Sequence, residues 1–262
     1  MNSEPLDLVP LWLLFLAIFF LSGLALECGY RLGKWRHEHA AEEKETPVNA
    51  MVGSILGLLA FLLAFTFSLA ATRFDARRQV VLEEANAIGT TYLRTRLLPE
   101  PQRSETAKLL REYVDVRVRG VAEGTVLEAV TRSEVLQESL WSEAVKASEN
   151  KDANSVITSL FIQSLNETID VHAKRVYVGA RSRIPVIIWA GLFALALLGM
   201  ASVGYQAGLS VTRRSPAMLG MVLAFAGVFY LIADLDRGQE GFLTVSQQPL
   251  IDLQKSMRAA KQ

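Results

Sequence analysis

The stretch from Ala50 to Thr72, AMVGSILGLLAFLLAFTFSLAAT, carries no formal charge. It is about as long as the ~20 residues a helix needs to cross a ~30 Å hydrocarbon layer. It is apolar on every face, whereas a helix in a soluble protein usually keeps one polar side. Three further runs share the pattern. Only Glu27 is charged between Leu8 and Tyr30, and no charge occurs from Pro185 to Thr212 or from Ser215 to Ala233. The four runs predict a multi-pass membrane protein, although the overall 51% hydrophobic and 21% charged residues resemble a soluble chain.

Helical periodicity does not stop where this second span ends. Arg73, Asp75, Arg77 and Arg78 lead into Val81, Ala85, Ile88 and Tyr92, which share one stripe. One helix is therefore expected to leave the membrane and run to about Leu98, where Pro99 and Pro101 break it. A second helix, from about Pro101, carries Leu109, Leu110, Tyr113, Val114 and Val118 and ends near Gly120 to Gly124. A third, shorter one carries Leu136, Leu140, Trp141 and Val145 behind a Ser133 cap. A fourth starts near Asn154, sets Ile157, Phe161, Leu165 and Ile169 four apart, and feeds through Arg181 and Arg183 into span three. No stretch alternates with period two for long enough to read as a strand.

The expected fold is an all-α membrane protein. Four transmembrane helices form two pairs, with a helical water-exposed domain between the second and third. The first pair lies within 1–72, with spans at about 8–30 and 50–72. The domain covers 73–184 and is continuous with spans two and three. The second pair lies within 185–236, with spans at about 185–208 and 216–235. The rest, 237–262, reads as an amphipathic tail, with Leu250, Leu253 and Met257 at roughly helical spacing, on the membrane or on the domain. The first span reads as retained rather than cleaved, since Glu4 and Asp7 are its only early charges and no basic leader precedes it.

Orientation is left open by the charges. The short loops carry Arg31, Lys34, Arg36, Lys44, Arg213 and Arg214, which places them inside and the domain outside. Arg73, Arg77, Arg78, Lys174, Arg175, Arg181 and Arg183 argue the reverse from the domain side.

Catalytic chemistry finds little support. With 27 basic and 27 acidic residues the chain has no net field to draw nucleic acid. Cys28 is the only cysteine, so no intramolecular disulfide forms. His37, His39 and His172 lack metal-ligand spacing and read as surface histidines. No phosphate-binding glycine loop or nucleophile elbow is present. Glu83 and Glu84 are adjacent and diverge on a helix, which makes them a poor acid–base pair. No enzyme, metal or cofactor is expected.

The second span says more. Gly53 and Gly57 have the small-x-x-x-small spacing that lets helices approach closely in lipid. Phe61, Phe65 and Leu69 continue that face. In a ring of such helices they would form an apolar constriction of the kind that gates by dewetting; in a lone helix they pack on lipid or on other spans. Of the membrane-edge acids, Glu27 sits one turn before Arg31 and reads as a local ion pair. Asp234 and Asp236, beside Arg237, read as an interface cap or as an acidic ring in an oligomer. Beyond the span, Glu83, Asn86, Thr90 and Arg94 make a polar stripe, suited to a vestibule, to subunit contacts or simply to water.

Leu62 to Phe65, the Arg73-Phe-Asp-x-Arg-Arg78 run, Glu83-Glu-Ala-Asn86, Tyr92-Leu-Arg94, Arg111-Glu-Tyr-Val114 and Asp234-Leu-Asp-Arg237 together resemble a family of bacterial four-span proteins described as bestrophin-like. The likeness covers about residues 8 to 255. More distantly it is similar to bestrophins, pentameric anion channels whose second span carries an apolar neck. The resemblance implies a homo-oligomer, pentameric in that comparison, in the bacterial cytoplasmic membrane. Its partners would be the lipid bilayer and small ions, with anions passing along the second spans. Phe61, Phe65 and Leu69 would form the constriction, and Arg73, Arg77 and Arg78 would concentrate anions at its mouth. The chain departs from bestrophins in lacking a proline near that neck and an evident acidic calcium clasp, so calcium gating is not expected. Two other classes fit four spans. One is a membrane-anchored interaction or sensory module without ion flux. The other is a proton-conducting stator-like subunit, for which the mid-membrane stretches offer no titratable group.

Overall fold

The computed structural model describes residues 9–39, 45–150, 154–210, 216–238 and 241–259, with the side chains of 45, 46, 180 and 181 excepted. Eight helices follow one another among these residues: α1 (Leu11–His39), α2 (Glu45–Thr95), α3 (Gln102–Ala122), α4 (Val126–Glu149), α5 (Ser155–Arg181), α6 (Val186–Leu209), α7 (Pro216–Arg237) and α8 (Gln248–Ala259). No strand occurs among the described residues. α1, α2, α6 and α7 are long and apolar enough to cross a membrane. The charged residues Glu4, Asp7, Lys44, Arg213 and Arg214 lie outside the described residues.

The chain divides into two units, Met1–Phe74 with Arg183–Thr244, and Asp75–Ser182 with Val245–Gln262. α2 belongs to both, as one helix of 51 residues.

In the first unit α1 packs along α6, with glycine placing backbone against backbone. Gly29 and Gly33 of α1 face Ala201 and Tyr205, while Gly204 and Gly208 of α6 face Leu26 and Tyr30. A Cβ on Gly204 would collide with the Leu26 carbonyl oxygen. Lipid supplies no hydrophobic drive for helices to associate, so dispersion across such close seams has to hold them. Around the seam Leu14, Ile18, Leu59, Leu63, Trp189, Ala226 and Phe229 are buried together, and Phe193 stacks on Phe229 at 5.1 Å between ring centroids.

The second unit is a water-soluble type of core. Ile88, Leu110, Tyr113, Leu136, Leu140, Phe161, Leu165 and Leu250 are fully or nearly fully buried in one cluster. Burial of each such side chain stabilises by about 1.5–3 kcal/mol before entropy is counted. α8 belongs to this core through Leu250 and Met257. Gln254 and Arg258 hold it to Asp115 of α3, at 2.7 and 2.9 Å. The tail therefore lies on the helical domain.

Local boundaries shift from expectation at α4. The helix begins at Val126, and Ser133 lies inside it, buried, with its hydroxyl donating to the Ala129 carbonyl at 2.7 Å. A serine that back-bonds within its own helix needs no cap geometry, so Ser133 is not the N-cap. Asn154 does cap α5, its side chain accepting from the N–H groups of Val156 and Ile157.

Gly204→Ala should lower the melting temperature of the detergent-purified protein, because it forces two backbones apart at a cost of about 1–3 kcal/mol. Gly23→Ala, on the same helix pair but with nothing within 4 Å of the new methyl group, should leave it unchanged.

Candidate functional site

α2 carries most of the polar and aromatic features singled out from the sequence. In the first unit one side of it is buried through Val52, Leu59, Leu63, Thr66 and Ala70. The opposite side is uncovered. Ser54, Leu58, Phe61, Phe65, Ser68 and Thr72 are exposed at alternating steps of four and three residues. Phe61 and Phe65 are 66% and 65% exposed, and Leu69 is only half-covered. A methyl group added at Gly53 or Gly57 would meet nothing within 4 Å, so no helix among the described residues uses their close-approach spacing. Two hydroxyls on this face donate within the helix, Ser54 to Ala50 O and Thr72 to Ser68 O, both at 2.9 Å. The other spans likewise expose large aliphatic and aromatic side chains, among them Phe20, Leu24, Ile187, Leu198 and Leu219. Ser54, Ser68 and Thr72, on either side of the two phenylalanines, suit contact with other helices or with water better than contact with lipid.

The alternation of four and three continues on the second-unit part of α2 through Asp75, Gln79, Leu82 and Asn86, all exposed. A strict seven-residue repeat is the pattern of a helix packed in a left-handed bundle.

The three arginines at the end of the span differ in surroundings. Arg78 is exposed. Arg73 is half-buried, with its Nη1 shielded and without a hydrogen-bond partner. Arg77 is buried and donates from Nη2 to the Ser182 carbonyl at 2.7 Å, which satisfies an acceptor just past the end of α5. The membrane-edge acids are built into the first unit. Glu27 pairs with Arg31 at 2.8 Å. Asp236 accepts the Ile184 N–H at 3.0 Å, its carbonyl accepts from Arg183 at 2.6 Å, and Arg237 donates to the Val9 carbonyl at 2.6 Å. Asp234 accepts the N–H groups of Phe242 and Leu243, each at 3.3 Å. Gly241, at φ +96, lets the chain fold back onto that carboxylate, where a side chain would collide.

The polar stripe divides as well. Asn86 and Thr90 face outward. Glu83 pairs with Lys174 at 2.6 Å, and Arg94 donates to the Leu160 carbonyl at 2.5 Å, so both tie α2 to α5.

Sequence reasoning missed the densest polar cluster, which lies on the buried side of the same helix. Glu84 is 0% exposed and pairs with Arg117 of α3 at 3.0 Å and with Arg175 of α5. Arg175 also donates to Gln247 at 2.6 Å. Beside them the Tyr113 hydroxyl lies 2.9 Å from His172 Nδ1 and receives a hydrogen bond from Gln137 at 3.3 Å. His172, expected at the surface, is buried at 4% exposure. Burial first, and then the Glu84 charge, push the Tyr113 phenol well above its usual range. Burial likewise lowers Arg175, with Glu84 acting against it. One signal pointed to His172. It follows Phe161, Leu165 and Thr168 in steps of four, three and four, on the buried side of α5. Among the described residues no group of three or more His, Cys, Asp or Glu is placed to hold a metal.

The fold and this arrangement define a multi-pass helical membrane protein whose second span runs on as the central helix of a water-exposed domain. A family model described as Bestrophin-like domain matches residues 19–250, and the chain belongs to that family. Its fold is that of a bacterial bestrophin homologue from Klebsiella pneumoniae. A point-mutant form aligns with a TM-score of 0.71 at 13% identity, covering 96% of this chain and 98% of that one. A second structure of that homologue gives 0.65 at 14% identity, over 94% and 96%. No curated protein matches by sequence.

Glu84→Ala leaves two buried guanidinium groups without their counter-charge and should destabilise the protein by about 3–5 kcal/mol. Glu83→Ala breaks an exposed pair and should cost no more than about 1 kcal/mol. Chemical denaturation of the two variants, monitored on the domain, measures the difference.

Proposed function

We propose that this chain assembles into a closed homo-oligomer in the bacterial cytoplasmic membrane, with the α2 helices around a pore for small anions. The observation that carries the reading is the uncovered face of α2. It has a seven-residue repeat, small and hydroxylic residues where a neighbouring helix or water would lie, and two phenylalanines one turn apart. Family membership supports it, since bestrophins place an apolar neck on the second span. Phe61 and Phe65 form the constriction, which blocks ions by excluding water until the ring widens. Leu69 sits at its edge. Gly53 and Gly57 lie toward the start of the span, where the absence of side chains lets neighbouring copies of α2 approach. Arg78, in solvent just beyond the span, raises the local anion concentration, with Arg73 adding to the field. Arg77 supports the mouth by holding the end of α5. Asn86 and Thr90 line the water-filled part of the same stripe.

Phe61→Ala with Phe65→Ala should raise halide flux several-fold in liposomes holding the purified protein. Arg78→Glu should lower flux in a manner that salt screens. A folded oligomer that passes no halide in wild-type or doubly substituted form contradicts the proposal and leaves the interaction-module reading in its place.

A further inference from the structure

The pore reading leaves one buried titratable group without a task. His172 Nδ1 lies 2.9 Å from the Tyr113 hydroxyl and 4.0 Å from the Glu84 carboxylate. Its Nε2 is buried and has no hydrogen-bond partner among the described residues. The groups facing the site come from four helices. α2 brings Glu84, α3 brings Tyr113 and Arg117, α4 brings the neutral Gln137, and α5 itself brings Arg175.

Counting protons shows why the site resists acid. Tyr113 has one proton to give and two lone pairs, Gln137 Nε2 only donates, and ionised Glu84 only accepts. When Tyr113 points its proton at Glu84, 3.5 Å away, its lone pairs receive Gln137 and the Nδ1–H of His172. Nε2 is then a bare lone pair. When Tyr113 donates to Nδ1 instead, Nε2 keeps a proton with no acceptor. A second proton on the ring yields the same result from either tautomer. Both nitrogens become donors, Nε2–H faces nothing that accepts, and a third positive charge joins Arg117 and Arg175 around one carboxylate. A buried unpaired donor and an uncompensated buried charge are each costly.

We infer that His172 makes the seating of α5 against α2 and α3 proton-sensitive: it takes up a proton far more readily outside its buried site than within it, so acid releases this part of α5 from the domain core. Burial, then the Arg117 guanidinium, hold the seated imidazole down to about 4, with Glu84 pulling the other way. The released ring returns to about 6.5. The seated form is therefore favoured in full above about pH 6.5 and loses ground as pH falls toward 4. None of this depends on whether α2 surrounds a pore.

Hydrogen exchange of the full-length protein in detergent, corrected for the intrinsic pH dependence of exchange, tests the inference. Between about pH 7 and about pH 5 the opening equilibrium of α5 amides around His172 should rise about twenty-fold, the ratio that a shift from 6.5 to 4 implies. Amides of α6 serve as the reference. His172→Gln should remove that rise. Exchange of the imidazole C2 hydrogen in the wild-type chain reads the His172 titration directly and needs no variant; its midpoint should lie well below that of free histidine. A midpoint at or above about 6.5, protection of α5 that does not change with pH, or a His172→Gln chain with the full wild-type rise, each overturns the inference.

Discussion

A helix that passes from lipid into water keeps its backbone hydrogen bonds but has to change the rule that places its side chains. α2 is a single run of 51 residues, without charge from Ala50 to Thr72 and charged from Arg73 onward. On the lipid side no water exists to satisfy a broken backbone, so an unbroken helix is required. On the domain side the same helix is held by an apolar core and by charge. Val81, Ala85 and Ile88 are buried there as Leu59 and Leu63 are in the spans. In each unit α2 leaves one side uncovered, through Ser54 to Thr72 in the first and through Asp75 to Asn86 in the second.

Two kinds of contact hold the helices within the two units, and they differ in energetic character. In the first unit the seam of α1 and α6 depends on missing side chains, with Gly29, Gly33, Gly204 and Gly208 admitting backbone atoms that any methyl group would exclude. In the second unit the buried Glu84 depends on charge, with two arginines and a tyrosine arranged around one carboxylate. Such a cluster adds less net stability than an apolar packing of the same volume, yet it penalises any arrangement that separates its members. It therefore defines how α2, α3 and α5 meet. Arg77, buried against the Ser182 carbonyl, acts in the same way further along, at the C-terminal end of α5.

Much of this was legible in the sequence, and the parts that were not share a cause. Charge-free runs locate the spans because lipid admits little else, and the helical domain follows from four-residue spacing of apolar side chains. The pairing of Gly29 and Gly33 with Gly204 and Gly208 was not legible, since spacing within one helix does not say which helix lies opposite. Glu84 looked like half of a diverging pair with Glu83. In the fold that divergence is the point: Glu83 goes to the exposed Lys174, and Glu84 goes inward to Arg117 and Arg175, far away in sequence. Ser133 resembled a cap because a cap and a back-bonding serine share composition and differ only in the backbone before them. The uncovered stripe of α2 was read from Phe61, Phe65 and Leu69 at steps of four, while the exposed set alternates fours and threes and leaves Leu69 at its edge.

The claim on which the functional reading turns is that the uncovered face of α2 is covered by further copies of the same chain. The native mass of the complex in lipid nanodiscs tests it most directly. The account predicts a single closed species of several identical chains, enough to enclose an axis. A folded monomer as the sole species in lipid would leave Phe61 and Phe65 facing the bilayer, and the central pore would have to be abandoned.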